Sequence, residues 1–257
     1  MNFAGLDAGI LGPALLAGLL VLATHVPLGM KVLERGIVFI DLAIAQIAGI
    51  GVIAAGALGF EPQGWAVQVS ALSAAALGAL LLTWTEQRWP DIQEALIGVL
   101  FVIASCTGLL LLAGNPHGGE HLKDLLVGQI LWVRLDQLVL AAATSFAVLM
   151  IWFAAGDRLG RAGFYLLFAL AVTQSVQLVG VYLVFASLII PALATRGWQH
   201  YRLPAAWALG ALAYLSGLAL SAVFDLPSGA VVVLSMAGLG VLLAASRSRP
   251  AGSATTS

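Results

Sequence analysis

Eight apolar blocks follow one another along the chain, at Ile10 to Met30, Ile37 to Phe60, Trp65 to Trp84, Ile92 to Gly114, Leu138 to Gly156, Phe164 to Thr195, Leu203 to Val223 and Ser228 to Ala245. Most are close to the ~20 residues that a helix needs to cross a ~30 Å hydrocarbon core. Runs such as Ala74 to Leu82 carry no polar alternation, so the pattern predicts helices and excludes a membrane β-barrel. The first block has no Lys or Arg before it and is long for the apolar region of a signal peptide, which predicts a retained first span.

One block does not fit the others. Phe164 to Thr195 runs for 32 residues. As a single rod at ~1.5 Å per residue it would need a tilt near ~50°, beyond the usual ~0 to 40°. A break at Gly180 divides it into two short membrane helices and raises the number of crossings to nine. Charge supports the break. With nine crossings and an outside amino terminus, Lys31, Arg35, Arg88, Arg158, Arg161, Arg196, Arg202, Arg247 and Arg249 all lie on the cytoplasmic side, and only Lys123 and Arg134 lie outside. Without the break the loops beyond it change sides, five cations remain inside and six fall outside, and the positive-inside bias disappears. The expectation is an all-α integral membrane protein with one transmembrane domain, residues 1–246, and a disordered cytoplasmic tail, residues 247–257, amino terminus outside and carboxyl terminus inside.

Composition agrees: 61% of residues are apolar, 9% are charged and the mean hydropathy is +1.03. Membrane lipid is therefore the surrounding solvent. A net charge of −1, with no long basic cluster, leaves nucleic acid no electrostatic footprint. The single cysteine, Cys106, allows neither a disulfide framework nor a cysteine zinc site.

Polar residues inside the spans carry the candidate chemistry. Asp41 stands near the start of the second span, either as a polar point on a permeation path or as a helix-entry carboxylate satisfied by Arg35 or by first-turn amides. Gln46 lies deeper, about 140° round the same helix, so the two do not form one site. Thr173, Gln174, Ser175 and Gln177 precede the break, and their spacing makes a polar seam that lines water or holds neighbouring helices together. His117, Glu120 and His121 sit in a glycine-rich loop between the fourth and fifth spans, a donor set that suits zinc or manganese in what is otherwise an ordinary solvated loop. His25 and His200 stand alone. No nucleotide-binding glycine loop, nucleophile elbow or metalloprotease motif is present, so uphill transport would draw its energy from a partner.

Two stretches bear a specific likeness. They are Pro27 to Gln46, reading PLGMKVLERGIVFIDLAIAQ, and Val179 to Ala192, reading VGVYLVFASLIIPA, the second beginning 133 residues after the first ends. Together they resemble the membrane subunits of ATP-binding-cassette (ABC) importers for zinc, manganese and iron. The resemblance implies a helical permease bundle related to the vitamin B12 importers, a homodimer around a central path, a separate cytoplasmic ABC ATPase and an extracytoplasmic metal-binding protein. It makes the chain a transport subunit and not an enzyme, in a bacterial inner membrane, with no tightly bound cofactor and a divalent metal, zinc or manganese, as cargo. Asp41, Gln46, Gln174 and Gln177 would line the path, His117, Glu120 and His121 would take part in handover, and Asp157, Arg158 and Arg161 would meet the ATPase. Two departures stand out. Ala45 occupies the place where the family commonly has a histidine, and only residues 157–163 stand where it carries a coupling segment of some fifteen to twenty residues. The ATPase would then engage another loop, such as Glu86 to Glu94, or coupling would be altered or lost. An ATPase-independent channel or facilitator, or a membrane assembly factor, is the alternative on the same scaffold.

Overall fold

The computed structural model describes residues 8–61, 64–112, 126, 128–155 and 158–247. Nine α-helices of ten or more residues lie among them: α1 Ala8–Arg35, α2 Ile40–Ala57, α3 Trp65–Arg88, α4 Gln93–Leu112, α5 Leu135–Ala155, α6 Gly160–Val179, α7 Val181–Ala194, α8 Arg202–Phe224 and α9 Ser228–Arg247. Eight are long and apolar enough to cross a membrane, and α7 is shorter. Single 3-10 turns stand before α4, at Pro90–Ile92, and before α5, at Ile130–Trp132.

The long block breaks at Gly180, as its length requires, but unequally. Helix α6 has 20 residues because it begins at Gly160, well before the apolar run, while α7 has 14 and rises only ~21 Å. Gly180 has φ 81° and ψ 162°, a region essentially closed to side chains with a Cβ. Its N–H still closes the last turn of α6 on Val176 O at 2.8 Å, and its carbonyl accepts from Val184 N at 3.1 Å to open α7. Gly180 is buried, and the backbone at Gly128 lies so close that a Cβ there would stand 2.3 Å from the Val179 carbonyl. Broken helix at this depth is thus covered by protein, the condition under which it survives in a membrane.

The chain reverses at the break. Arg161, in the first turn of α6, pairs with Glu86 at the end of α3, and Arg35 at the end of α1 lies 4.2 Å over the Phe164 ring. Beyond α7, Arg202 pairs with Glu34 of α1, so α7 has returned the chain to the end where α6 began. The basic residues gather there.

Helix α6 is the central element: 67% of its apolar window is buried, against 17% for α5 and 22% for α4 and α9. It packs on α2, α3 and α5, while α1 packs on α7 and α8, and α9 on α7 and α8. The outer faces carry exposed Val99, Leu110, Val139, Phe146, Leu234 and Val241, the composition that acyl chains solvate. Small residues set the tightest crossings. Gly29 of α1 approaches α7 so closely that a Cβ would stand 1.9 Å from Leu188 O, and Gly18 lies directly against the Tyr214 ring of α8. Tyr214 in turn shares a buried hydrogen bond of 3.0 Å with Ser187 of α7, and Trp207 Nε1 donates to Leu22 O at 3.1 Å.

Candidate translocation cleft

A narrow cleft opens between α2, α4 and α6, lined by Gln46, Ile50 and Ile53 of α2, Ser105 and Gly108 of α4, Thr173, Val176 and Gln177 of α6, and Val181 at the head of α7. Its volume, about 20 Å³, is enough for roughly one water molecule. The side-chain oxygens of Ser105 and Thr173 and the amide nitrogen of Gln177 are buried without a hydrogen-bond partner among the described residues, whereas the Gln177 oxygen accepts from Gln68 of α3. Buried polar groups in this state need water or a solute, so the cleft is built for something polar.

The sequence-derived residues divide around it. Gln46 and Gln177 face each other across the cleft with Thr173, and Gln174, half-buried, is not among the lining side chains. Asp41 is also outside the lining, as the 140° offset from Gln46 requires. It is 1% exposed, and neither carboxylate oxygen has a hydrogen-bond partner among the described residues. Arg35 lies on Phe164 and forms no ion pair with it among the described residues. Of the two routes by which Asp41 was to be satisfied as a helix-entry group, Arg35 is unused, whereas the first-turn amides of Asp41 and Leu42 act on the carboxylate without meeting full hydrogen-bond geometry.

His117, Glu120, His121 and Asp157 lie outside the described residues, as does the tail from residue 248. Arg158 is exposed just before α6, and Arg161 already belongs to that helix, so the link between α5 and α6 is residues 156–159, shorter than the 157–163 expected as a loop. No group of three or more His, Cys, Asp or Glu is placed together among the described residues. His25 is a buried structural group, its Nδ1 3.0 Å from both Val21 O and Thr24 Oγ1.

Ser105 lines the cleft and Gln68 holds Gln177 from beside it, and neither was singled out from the sequence. Each is a polar residue within an apolar span, which is a signal, but only packing shows that Ser105 shares the cleft with Gln177 and that Gln68 bonds to it.

The two stretches that carry the family likeness meet in this fold: Gly29 lies against Leu188, and Phe39 stacks on Phe185 at 6.3 Å with rings 6° apart. The family model of the ABC 3 transport family matches residues 7–159 and 158–247. The chain belongs to this family. As an ABC 3 family member it is the membrane permease subunit of an ABC importer, a multi-pass protein of the bacterial cytoplasmic membrane. ATP hydrolysis in such importers resides in a separate subunit, and a substrate-binding protein is the other partner. Two curated relatives align over nearly all of it. The manganese transport system membrane protein MntC of Halalkalibacterium halodurans is 28% identical, over 89% of this chain and 84% of the relative. The high-affinity zinc uptake system membrane protein ZnuB of Haemophilus influenzae is 25% identical, over 93% of this chain and 98% of the relative. A chain of PsaBC from Streptococcus pneumoniae, solved in complex with Fab, shares the fold with a TM-score of 0.74 at 20% identity, covering 90% of each chain.

Proposed function

We propose that this permease carries a divalent metal inward, manganese in preference to zinc, as a homodimer with a cytoplasmic ATPase pair and an extracytoplasmic metal-binding protein. The observation that carries the reading is the alignment, over about nine-tenths of the chain, with membrane proteins named for manganese and zinc transport. Donor chemistry supports manganese. The cleft and its surroundings offer carboxylate, carboxamide and hydroxyl oxygens from Asp41, Gln46, Gln177, Ser105 and Thr173, and Ala45 supplies no imidazole. Oxygen donors suit manganese, whereas zinc gains more from imidazole and thiolate.

In this mechanism the binding protein docks on the outer loop between α4 and α5, where His117, Glu120 and His121 stand ready for handover. The ion enters between two copies of the chain and passes the α2–α6 cleft. Closure of the ATPase pair on nucleotide tips the membrane helices between outward and inward openings. The amino terminus lies outside and the carboxyl terminus inside.

The test is reconstitution of the chain with its ATPase and binding protein in liposomes, followed by uptake of radioactive manganese or zinc. ATP-dependent accumulation, with manganese outcompeting zinc, is expected. Uptake that needs no ATPase would instead establish the facilitator reading.

A further inference from the structure

The turn between α3 and α4 holds on to more than its own two helices. Arg88, Trp89, Pro90, Asp91 and Ile92 are exposed, with the apolar Trp89, 43% exposed, between Arg88 and Asp91, and Ile92, 52% exposed, following Asp91. On either side of this knob the side chains turn inward. Glu86 Oε1 lies 3.8 Å from Arg161 Nε in the first turn of α6. Gln93 Nε2 donates to Leu82 O at 3.0 Å and to the Tyr165 hydroxyl of α6 at 3.2 Å. Glu94 Oε1 accepts the N–H of Phe39, the residue that caps α2, at 3.3 Å. Residues 86–94 thereby grip the starts of both α2 and α6, which carry Gln46 on one wall of the cleft and Thr173 and Gln177 on the other.

None of the other described turns at this end is bonded to the starts of both α2 and α6: residues 36–39, between α1 and α2, lead into α2 alone, and Phe39 there is itself held by Glu94. Residues 156–159 are the whole connection between α5 and α6, too few for a docking helix. The connection from α7 to α8 is tied through Arg202 to Glu34 of α1, a helix that does not line the cleft.

We propose that the exposed turn Arg88 to Ile92 is the surface that receives the ATPase subunit, and that Glu86, Gln93 and Glu94 pass its movement to the starts of α6 and α2. The proposal rests on the ATP-driven reading above. It makes Glu94 a positioning residue, acting on the path through α2 without touching the cargo. A push on the turn displaces both cleft walls at their cytoplasmic ends, which lets one contact do what a dedicated coupling segment does elsewhere.

The experiment uses the assembled transporter in a Cys106→Ser background. Asp91→Cys, Arg158→Cys and Leu58→Cys are each derivatised with a benzophenone maleimide and illuminated. Asp91→Cys is expected to attach to the ATPase, with a yield that changes several-fold when a non-hydrolysable ATP analogue is added, and Leu58→Cys to give none. In parallel, Glu94→Ala is expected to leave complex assembly and ATP hydrolysis near wild type while metal uptake falls to about a fifth, the equivalent of one lost contact of ~1 kcal/mol. Attachment from Arg158→Cys but not from Asp91→Cys, in a complex that still transports, overturns this proposal and leaves the ATP-driven reading standing. Hydrolysis, uptake and complex yield falling together in Glu94→Ala would mark a purely structural residue and also overturn it. Failure to recover any ATPase with the unmodified chain would instead remove the reading on which it rests.

Discussion

Asp41 and Gln177 pose different problems to a folded membrane helix, and substitution separates them. An ionised carboxylate costs about 2.5 to 3.5 kcal/mol at the centre of a bilayer and less toward its edge, and Asp41, buried in the first turn of α2, has only the amides of Asp41 and Leu42 to offset that cost. A group kept on those terms is retained for what it does. Asp41→Asn should therefore leave folding yield unchanged or higher while depressing manganese uptake, a split that uptake assays normalised to purified protein would expose. Gln177→Leu removes an amide that lines the cleft and accepts from Gln68. A loss of roughly five- to tenfold in uptake is expected, matching one polar contact of about 1 to 1.5 kcal/mol. If both variants transport normally, the cleft is not the path. The sequence pointed to both residues because polar side chains in apolar spans are conspicuous. It could not show that Thr173 would join Gln177 while Gln174, one residue on, would face elsewhere, since rotation about the helix axis is settled by neighbours and not by spacing alone.

The number and approximate extent of the helices followed from hydropathy, although several run four or five residues beyond their apolar blocks, and the break at Gly180 followed from length, because a 32-residue rod does not fit a bilayer. What hydropathy could not supply is the pairing of helices, which here depends on where a Cβ is missing. Gly29 permits the backbone contact between α1 and α7, and Gly238 of α9 has nothing within 4 Å of the place a Cβ would occupy. The two should respond oppositely to the same change. Gly29→Ala forces the helices apart and should cost about 1 to 3 kcal/mol. Gly238→Ala adds helix propensity in open space and should be neutral or stabilising by up to about 1 kcal/mol. Thermal unfolding in detergent compares them directly, and equal effects would mean that α1 and α7 do not cross at Gly29. The start of α6 was the least readable boundary: Gly160 to Gly163 look like a loop beside the apolar run, yet they form its first turn, anchored by Arg161 on Glu86.

The bundle has two ends of different charge, and that difference predicts how it sits in the membrane. Glu34 with Arg202, Glu86 with Arg161, and Arg35 on Phe164 hold the ends of α1 and α3 and the starts of α6 and α8 together at one pole. Among the described residues, eight of the nine Lys and Arg belong to segments at that pole, Arg134 being the exception. Loops rich in Lys and Arg stay on the cytoplasmic side during insertion, so this pole is expected to face the cytoplasm. Leu58, 77% exposed just beyond α2, is at the opposite pole, and Ser246, exposed near the end of α9, is at the basic one. In a Cys106→Ser background, a membrane-impermeant maleimide applied to intact cells should therefore label Leu58→Cys at once and Ser246→Cys only after permeabilisation. The reverse pattern would invert the protein and place the Arg88 to Ile92 turn out of an ATPase's reach. Labelling of both from outside would mean that the chain crosses an even number of times between Leu58 and Ser246, which the return of α7 forbids.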